Sequence, residues 1–235
     1  MAAELGETSD PKRLVPGDVG SVTRTMWSMR SYGDSLSEAG TGLSRIDTQD
    51  GWRGEAADQF RDRFHGEPRK WLEAGDSFHS AANALDSYAS TLQWAQQEAD
   101  GAVSLWNQGE ADTATAKAEH ARAVAQAQQD ARDRTARGLP TSPITIPFSD
   151  PGEAKRAAAR QKLNDARSRL REAGDRAERA VGAARDKAPK KPGFWSHVGD
   201  SLKHLGEGAV NGMASFGNAT LNHPGDMLGV VGGLG

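Results

Sequence analysis

One spacing constrains the fold of this chain more than any other feature. Ala57, Phe64, Trp71, Phe78, Leu85, Leu92, Ala99 and Trp106 recur every seven residues without a slip. A companion row, Phe60, Ala74, Ala81, Tyr88, Ala95 and Ala102, runs beside it. A repeat of this kind keeps a narrow apolar seam on one side only in a helix, where two turns close on about seven residues. The pattern predicts a long helix over 55–107, packed along another helix. Pro68 lies within it and predicts a kink or the end of a first segment, because its ring blocks the bond to the preceding turn.

The partner helix is legible upstream. Val19, Val22, Met26, Met29, Gly33, Leu36, Gly40, Leu43 and Ile46 follow one another three or four residues apart, which predicts a second seam over 18–47. Asp18 is placed to cap its start. Gly33, Gly40 and Gly42 weaken this helix but allow close approach. Trp27 is off the seam, as a bundle-covering residue or a partner contact. Between the two helices stands Gly51-Trp52-Arg53-Gly54, a Gly-punctuated turn. Glu55 then opens the next helix with the acidic first turn that a helix dipole favours.

Downstream, Asn107-Gln108-Gly109 predicts a break, followed by an Ala-rich helix to about Arg137. Its expected inner face is Ala111, Ala114, Ala118, Ala121, Ala125 and Gln128. Residues 138–150 carry three prolines and β-branched residues, which predicts an extended connector. Asp150-Pro151 reads as a helix start. The helix to Lys187 has a seam of Ala159, Leu163, Ala166, Leu170, Ala173, Ala177, Ala180 and Ala184. It is expected to pair antiparallel with 110–137. After the linker 188–193 comes a Gly-rich stretch on an amphipathic pattern, ending at Gly235 as if inside a longer polypeptide.

The fold expected is all-α: elongated antiparallel helical hairpins forming a coiled-coil-like bundle, with a Gly-rich, partly helical C-terminal tail. Residues 1–109 form one hairpin, 110–188 a second, and 189–235 the linker and tail. A hydrophobic content of 36% with 6% aromatics fits thin helix-on-helix packing rather than a thick core.

Composition also bounds the chemistry. The chain has no Cys, which excludes disulfides and thiolate ligands. The six histidines make no metal-ligand motif. His197 and His204, seven apart, are the nearest approach to one, and core or solvent-facing histidines are the commoner outcome. No nucleophile elbow or phosphate loop occurs, so no catalytic residue, cofactor or metal is assigned. No apolar run reaches transmembrane length and the N-terminus lacks a signal-peptide core. Charge is uneven: residues 1–109 hold 10 Lys+Arg against 17 Asp+Glu, and residues 153–191 hold 13 against 6. The basic helix admits nucleic acid or anionic lipid as partners. Its interleaved acids and its lack of aromatics favour a solvated or internally paired face.

The turn Trp52-x-Gly54 between two heptad-patterned helices resembles the WXG-type family of helical-hairpin substrates of type VII (ESX) secretion. The similarity is greater still to the longer N-terminal export modules of actinobacterial, Streptomyces-like polymorphic toxins. It covers residues 14–109 best, and extends to about 187 through Leu92-Gln93-Trp94-Ala95-Gln96-Gln97-Glu98, Leu105-Trp106 and Phe148-Ser149-Asp150-Pro151-Gly152. The resemblance implies a non-enzymatic module made in the cytoplasm and secreted without a signal peptide. It would be recognised by a secretion ATPase or a small helical-hairpin partner, or would self-pair, ahead of a toxin domain. Family substrates carry Tyr-x-x-x-Asp/Glu after the second helix. Here the nearest match is Trp94-x-x-x-Glu98, with Trp in the Tyr position, and this pair shares one helix face. Two other readings stand beside this one: a cytosolic scaffold or nucleic-acid-associated protein using 153–191, and a membrane-active tail over 193–235.

Overall fold

The computed structural model describes residues 2–46 and 53–188. Gly51, Trp52, the linker from 189 and the Gly-rich tail lie outside the described residues. Among the described residues five helices follow in order: α1 (Pro11–Leu14), α2 (Val19–Ser44), α3 (Glu55–Phe64), α4 (Glu67–Ala136) and α5 (Glu153–Lys187). No strand occurs among the described residues, and the fold is all-α.

The helix boundaries follow from local chemistry. Asp18 caps α2 as its position predicts, with Oδ2 accepting from the Ser21 N–H at 2.8 Å. Gly54, at φ 111°, opens α3, and its carbonyl accepts from Ala57 and Asp58. Pro68 ends one helix and starts another. α3 stops at Phe64, and Pro68 falls in the first turn of α4, where its missing N–H has no intrahelical acceptor to lose. The break expected at Asn107-Gln108-Gly109 does not form: α4 runs through it to Ala136. An internal Gly costs a helix about 1 kcal/mol relative to Ala. Packing on α5, described below, uses Gly109 for closeness instead. α4 ends where Gly138 takes φ 72°, with Gly138 N–H donating to Thr135 O and Leu139 N–H to Arg134 O.

The described chain forms two compact units: residues 16–46, 53–94 and 168–188 in the first, and residues 2–15 and 95–167 in the second. In the first, α2 runs antiparallel to the start of α4. Gly17 meets Leu92, Arg30 donates to Asn83 Oδ1 at 3.0 Å, and Gly40 abuts Leu72. The two backbones also come close at Gly33 and Gly75; a Cβ on Gly33 would lie 3.1 Å from the Gly75 carbonyl and 2.6 Å from His79. The seven-residue seam is buried at its centre, where Phe78, Leu85 and Leu92 have no exposure, while Phe64 and Trp71 are half-buried. Phe78 meets the edge of Tyr32 at 4.8 Å, and Phe60 stacks on Phe64 at 5.3 Å. Ala173, Ala177, Val181 and Ala184 of α5 are also buried.

In the second unit, α5 does not pair with 110–137, contrary to the expected second hairpin. It begins beside Gly109 and runs back along the earlier part of α4, with Lys162 against Gly101. Gly152 sits so close to Gly109 that a Cβ on Gly109 would lie 2.8 Å from the Gly152 carbonyl. Residues 110–136 are lined instead by the connector. Arg134 donates to the Pro140 carbonyl at 3.2 and 3.3 Å, His120 Nε2 lies 2.9 Å from the Ile146 carbonyl, and Thr113 donates to Asp150. The lengths agree: Thr113 to Arg134 spans about 32 Å of helix, and Pro140 to Asp150 about 33 Å of extended chain. The inward positions of this stretch are Gly109, Thr113, Ala116, His120 and Val124, whereas Ala111, Ala114, Ala118, Ala121 and Ala125 are exposed.

Candidate functional site

In the first unit, Trp94 projects from α4 onto α5. It is half-buried, and the Arg169 guanidinium lies over its ring, 5.1 Å from the centroid. A cation in that position is attracted by the negative ring face. The indole is therefore in contact with α5.

In the second unit, Glu98 forms an ion pair with Lys162 of α5. Both side chains keep partial solvent access, at 28% and 39% exposure. Two turns along α4, Trp106 is half-buried. Gly6 of the N-terminal segment comes to its ring, where a Cβ would lie 3.4 Å from the indole, and Arg160 stands 5.7 Å from the ring centroid. Leu5, Gly6, Thr8, Val103, Trp106 and Asn107 border an open cavity of about 440 Å³.

The start of α5 is fixed by a polar cluster. Arg156, 9% exposed, donates to Asp150 at 2.5 Å, to Glu153 at 2.8 Å and to Thr113 at 2.5 Å, and pairs with Glu110 at 3.2 Å. Asp150 accepts from Thr113 at 2.5 Å and from the Gly152 N–H at 2.9 Å. The Thr113 hydroxyl beside it, with the Arg156 guanidinium, holds the Asp150 carboxyl down at about 2. Arg156 and Arg160 lower Glu153 in the same sense. Lys155–Asp112 and Arg160–Glu153 pairs flank the cluster.

The N-terminal segment is an ordered element. Asp10 caps α1, and Leu14 and Val15 are fully buried. Arg167 holds this segment. Its guanidinium donates to the Ala3 carbonyl at 2.6 Å and to the Leu14 carbonyl at 3.1 and 3.2 Å, and it pairs with Glu4 at 2.9 Å. Gln96 donates to the Val15 carbonyl at 3.2 Å.

The residues singled out from sequence thus fall into separate settings. Of the turn, Gly54 is described and Gly51 and Trp52 are not. Trp94 and Glu98 are each engaged by a cation of α5. Phe78, Leu85 and Leu92 are core, and Phe64, Trp71 and Trp106 are its half-buried ends. Arg156 and Arg167 are absent from the sequence reading. Asp150-Pro151-Gly152-Glu153 signals the first, since a helix start with two acids calls for a cation one turn on. No sequence signal announces Arg167, whose main acceptors are backbone carbonyls. Several α5 cations are internally paired, as the interleaved charges suggest. Among the described residues, no three His, Asp or Glu side chains gather as metal ligands, and no helix is long and apolar enough to cross a membrane.

Residues 2–192 match a family model described as "Putative T7SS secretion signal domain". No curated protein and no solved structure matches the chain.

Proposed function

The chain belongs to the T7SS secretion signal domain family, and from that membership we propose that it targets a secreted toxin, to which it is N-terminal, for export by the type VII route. The targeting role itself follows from the family. The toxin, the absence of catalysis in this module and the identity of its reader are further steps of the proposal. The single observation that carries the reading is the extent of the match, residues 2–192, which takes in both compact units and all five helices.

In this reading the chain acts by presenting a folded helical surface, not by turning over a substrate. The secretion ATPase or a small helical-hairpin partner docks on it, and self-pairing of the chain is the alternative arrangement. Trp94 and Glu98 carry the export mark on α4, with Trp in place of the usual Tyr. The contacts from Arg169 and Lys162 support this, because they place both side chains beside α5 while leaving them partly open to solvent. The Trp52-x-Gly54 motif is the second mark in this proposal, and of it Gly54 opens α3.

The test is genetic. The full chain is expressed in its host with and without the type VII ATPase, and culture supernatants are compared. Export that stops without the ATPase supports the reading, and unchanged export refutes it.

A further inference from the structure

The connector between α4 and α5 has no role in the secretion reading. Arg137-Gly138-Leu139-Pro140-Thr141-Ser142-Pro143-Ile144 is exposed at every position. Leu139 and Ile144 are among the large apolar side chains most open to solvent, at 49% and 40%. Arg137 makes backbone hydrogen bonds to the last turn of α4, and its guanidinium has no ion-pair partner among the described residues.

From Leu139 onward the backbone is extended by its own covalent chemistry. Pro140, Pro143 and Pro147 fix their own φ, and each drives the residue before it into the β or polyproline region. The segment is also tethered at both ends. Arg134 holds the Pro140 carbonyl and His120 lies against the Ile146 carbonyl. Between these ties, Thr141 to Thr145 make no backbone–backbone hydrogen bond. A recognition segment ordered before binding loses little conformational entropy on docking.

Two ways of recognising extended chain are open in principle, and the prolines decide between them. Strand addition needs N–H donors at alternate residues along one edge. Prolines at 140, 143 and 147 fall on both parities and so remove donors from both edges. Polyproline recognition needs no such ladder. It needs ridges repeating every third residue, and Pro140 and Pro143 have that spacing; Arg137 stands just upstream, in the turn that ends α4.

We infer that residues 137–144 are a docking ligand for a polyproline-reading protein, one whose groove is lined by aromatic rings and rimmed by acidic residues. The aromatic groove takes Pro140 and Pro143 with Leu139, and the acidic rim takes the Arg137 guanidinium. The charge complementarity is specific to this end, since Arg137 precedes the prolines and no acid lies between residues 134 and 149.

The test titrates the isotope-labelled full chain with an SH3 domain that accepts Arg-x-x-Pro-x-x-Pro peptides, a groove of the stated chemistry. Saturable amide shifts confined to 137–146 are expected. Pro140→Ala/Pro143→Ala should weaken binding at least tenfold with the helical circular dichroism unchanged. Ala keeps the carbonyl that Arg134 holds. Pro143→Ala alone guards against misfolding of the double variant and should weaken binding several-fold. Arg137→Glu should weaken it about tenfold through the acidic rim. Absent shifts, shifts elsewhere, or affinity unchanged by the proline substitutions would each overturn the proposal.

Discussion

Arg167 donates two hydrogen bonds to the carbonyl of Leu14, at 3.2 Å from Nε and 3.1 Å from Nη2, across a separation of 153 residues. With Ala3 and Glu4 as its other partners, one side chain closes the N-terminal segment onto α5. The planar guanidinium suits this task because it presents several N–H donors in a fixed fork.

Arg167→Ala is therefore expected to release residues 3–14 without unfolding the helices. The loss of these bonds should cost about 1–3 kcal/mol. Arg167→Lys should rescue it poorly, since a single ammonium cannot span the same acceptors. Hydrogen exchange checks this: amides of the N-terminal segment should lose protection in both variants while the buried turns of α4 keep theirs.

Gly152→Ala should be more damaging than its size suggests. A Cβ at that position would meet the Gly109 carbonyl and the Thr113 hydroxyl, and backbone cannot rotate away as a side chain does. Forcing the start of α5 off α4 should cost about 1–3 kcal/mol or more. The thermal midpoint should fall by several degrees, whereas Gly182→Ala, with nothing within 4 Å, should leave it unchanged or raise it.

Phe78→Ala empties the best-buried aromatic position of the first unit, one with no exposure and an edge contact to Tyr32. A loss of about 3–5 kcal/mol is expected. Urea unfolding should show it as a lower midpoint with an unchanged slope.

Acid should loosen the second unit through Asp150. Its carboxyl sits at about 2 in the folded chain against an ordinary 3.8. The folded value is the lower one, so the carboxylate stabilises the fold above the ordinary value and that stabilisation is lost as pH falls from about 3.8 through about 2. Asp150→Asn should be less stable than the natural chain at pH 7 and converge with it near pH 2. Midpoints that stay parallel across that range would assign no such role to Asp150.

Export separates structure from signal at Glu98. If the secretion machinery reads this carboxylate, Glu98→Gln should reduce the exported fraction while Lys162→Ala, which removes only its partner, should not. Trp94→Ala should act like Glu98→Gln, and Trp94→Tyr should restore export. Equal loss in Glu98→Gln and Lys162→Ala would mark the ion pair as structural.

Sequence periodicity was enough to locate the helices wherever apolar and polar residues contrast. The seam through Phe78, Leu85 and Leu92, the α2 seam and the Asp18 cap all follow from spacing and cap chemistry. Contrast vanishes beyond Gly109. Ala occupies exposed and inward positions alike, so Ala111 and Ala118 mimic a seam while Thr113 and His120 face inward. The partner of α5 was illegible for a related reason: pairing logic assumes that a connector joins neighbours at one end. Here the connector spends about 3.3 Å per residue against the helix's 1.5 Å, so a short stretch covers the last part of α4 and places α5 beside Gly109. In the candidate site, Trp94 and Glu98 are named from their spacing alone. The cations that hold them, Arg169 and Lys162, were hidden among many similar charges on α5.

The closure of Ala3 and Leu14 by Arg167 also sets an order in time. The first residues to leave the ribosome find this partner only after position 167 is made, about 8–30 seconds later at ordinary rates of synthesis. Until then α1 lacks the Arg167 bonds and has only contacts to α4, such as Gln96 on the Val15 carbonyl, to hold it. A nascent chain cut short before Arg167 would present α2 and α4 yet lack the bonds that fasten Ala3, Glu4 and Leu14 to α5. This bond set therefore forms only once synthesis has reached the middle of α5.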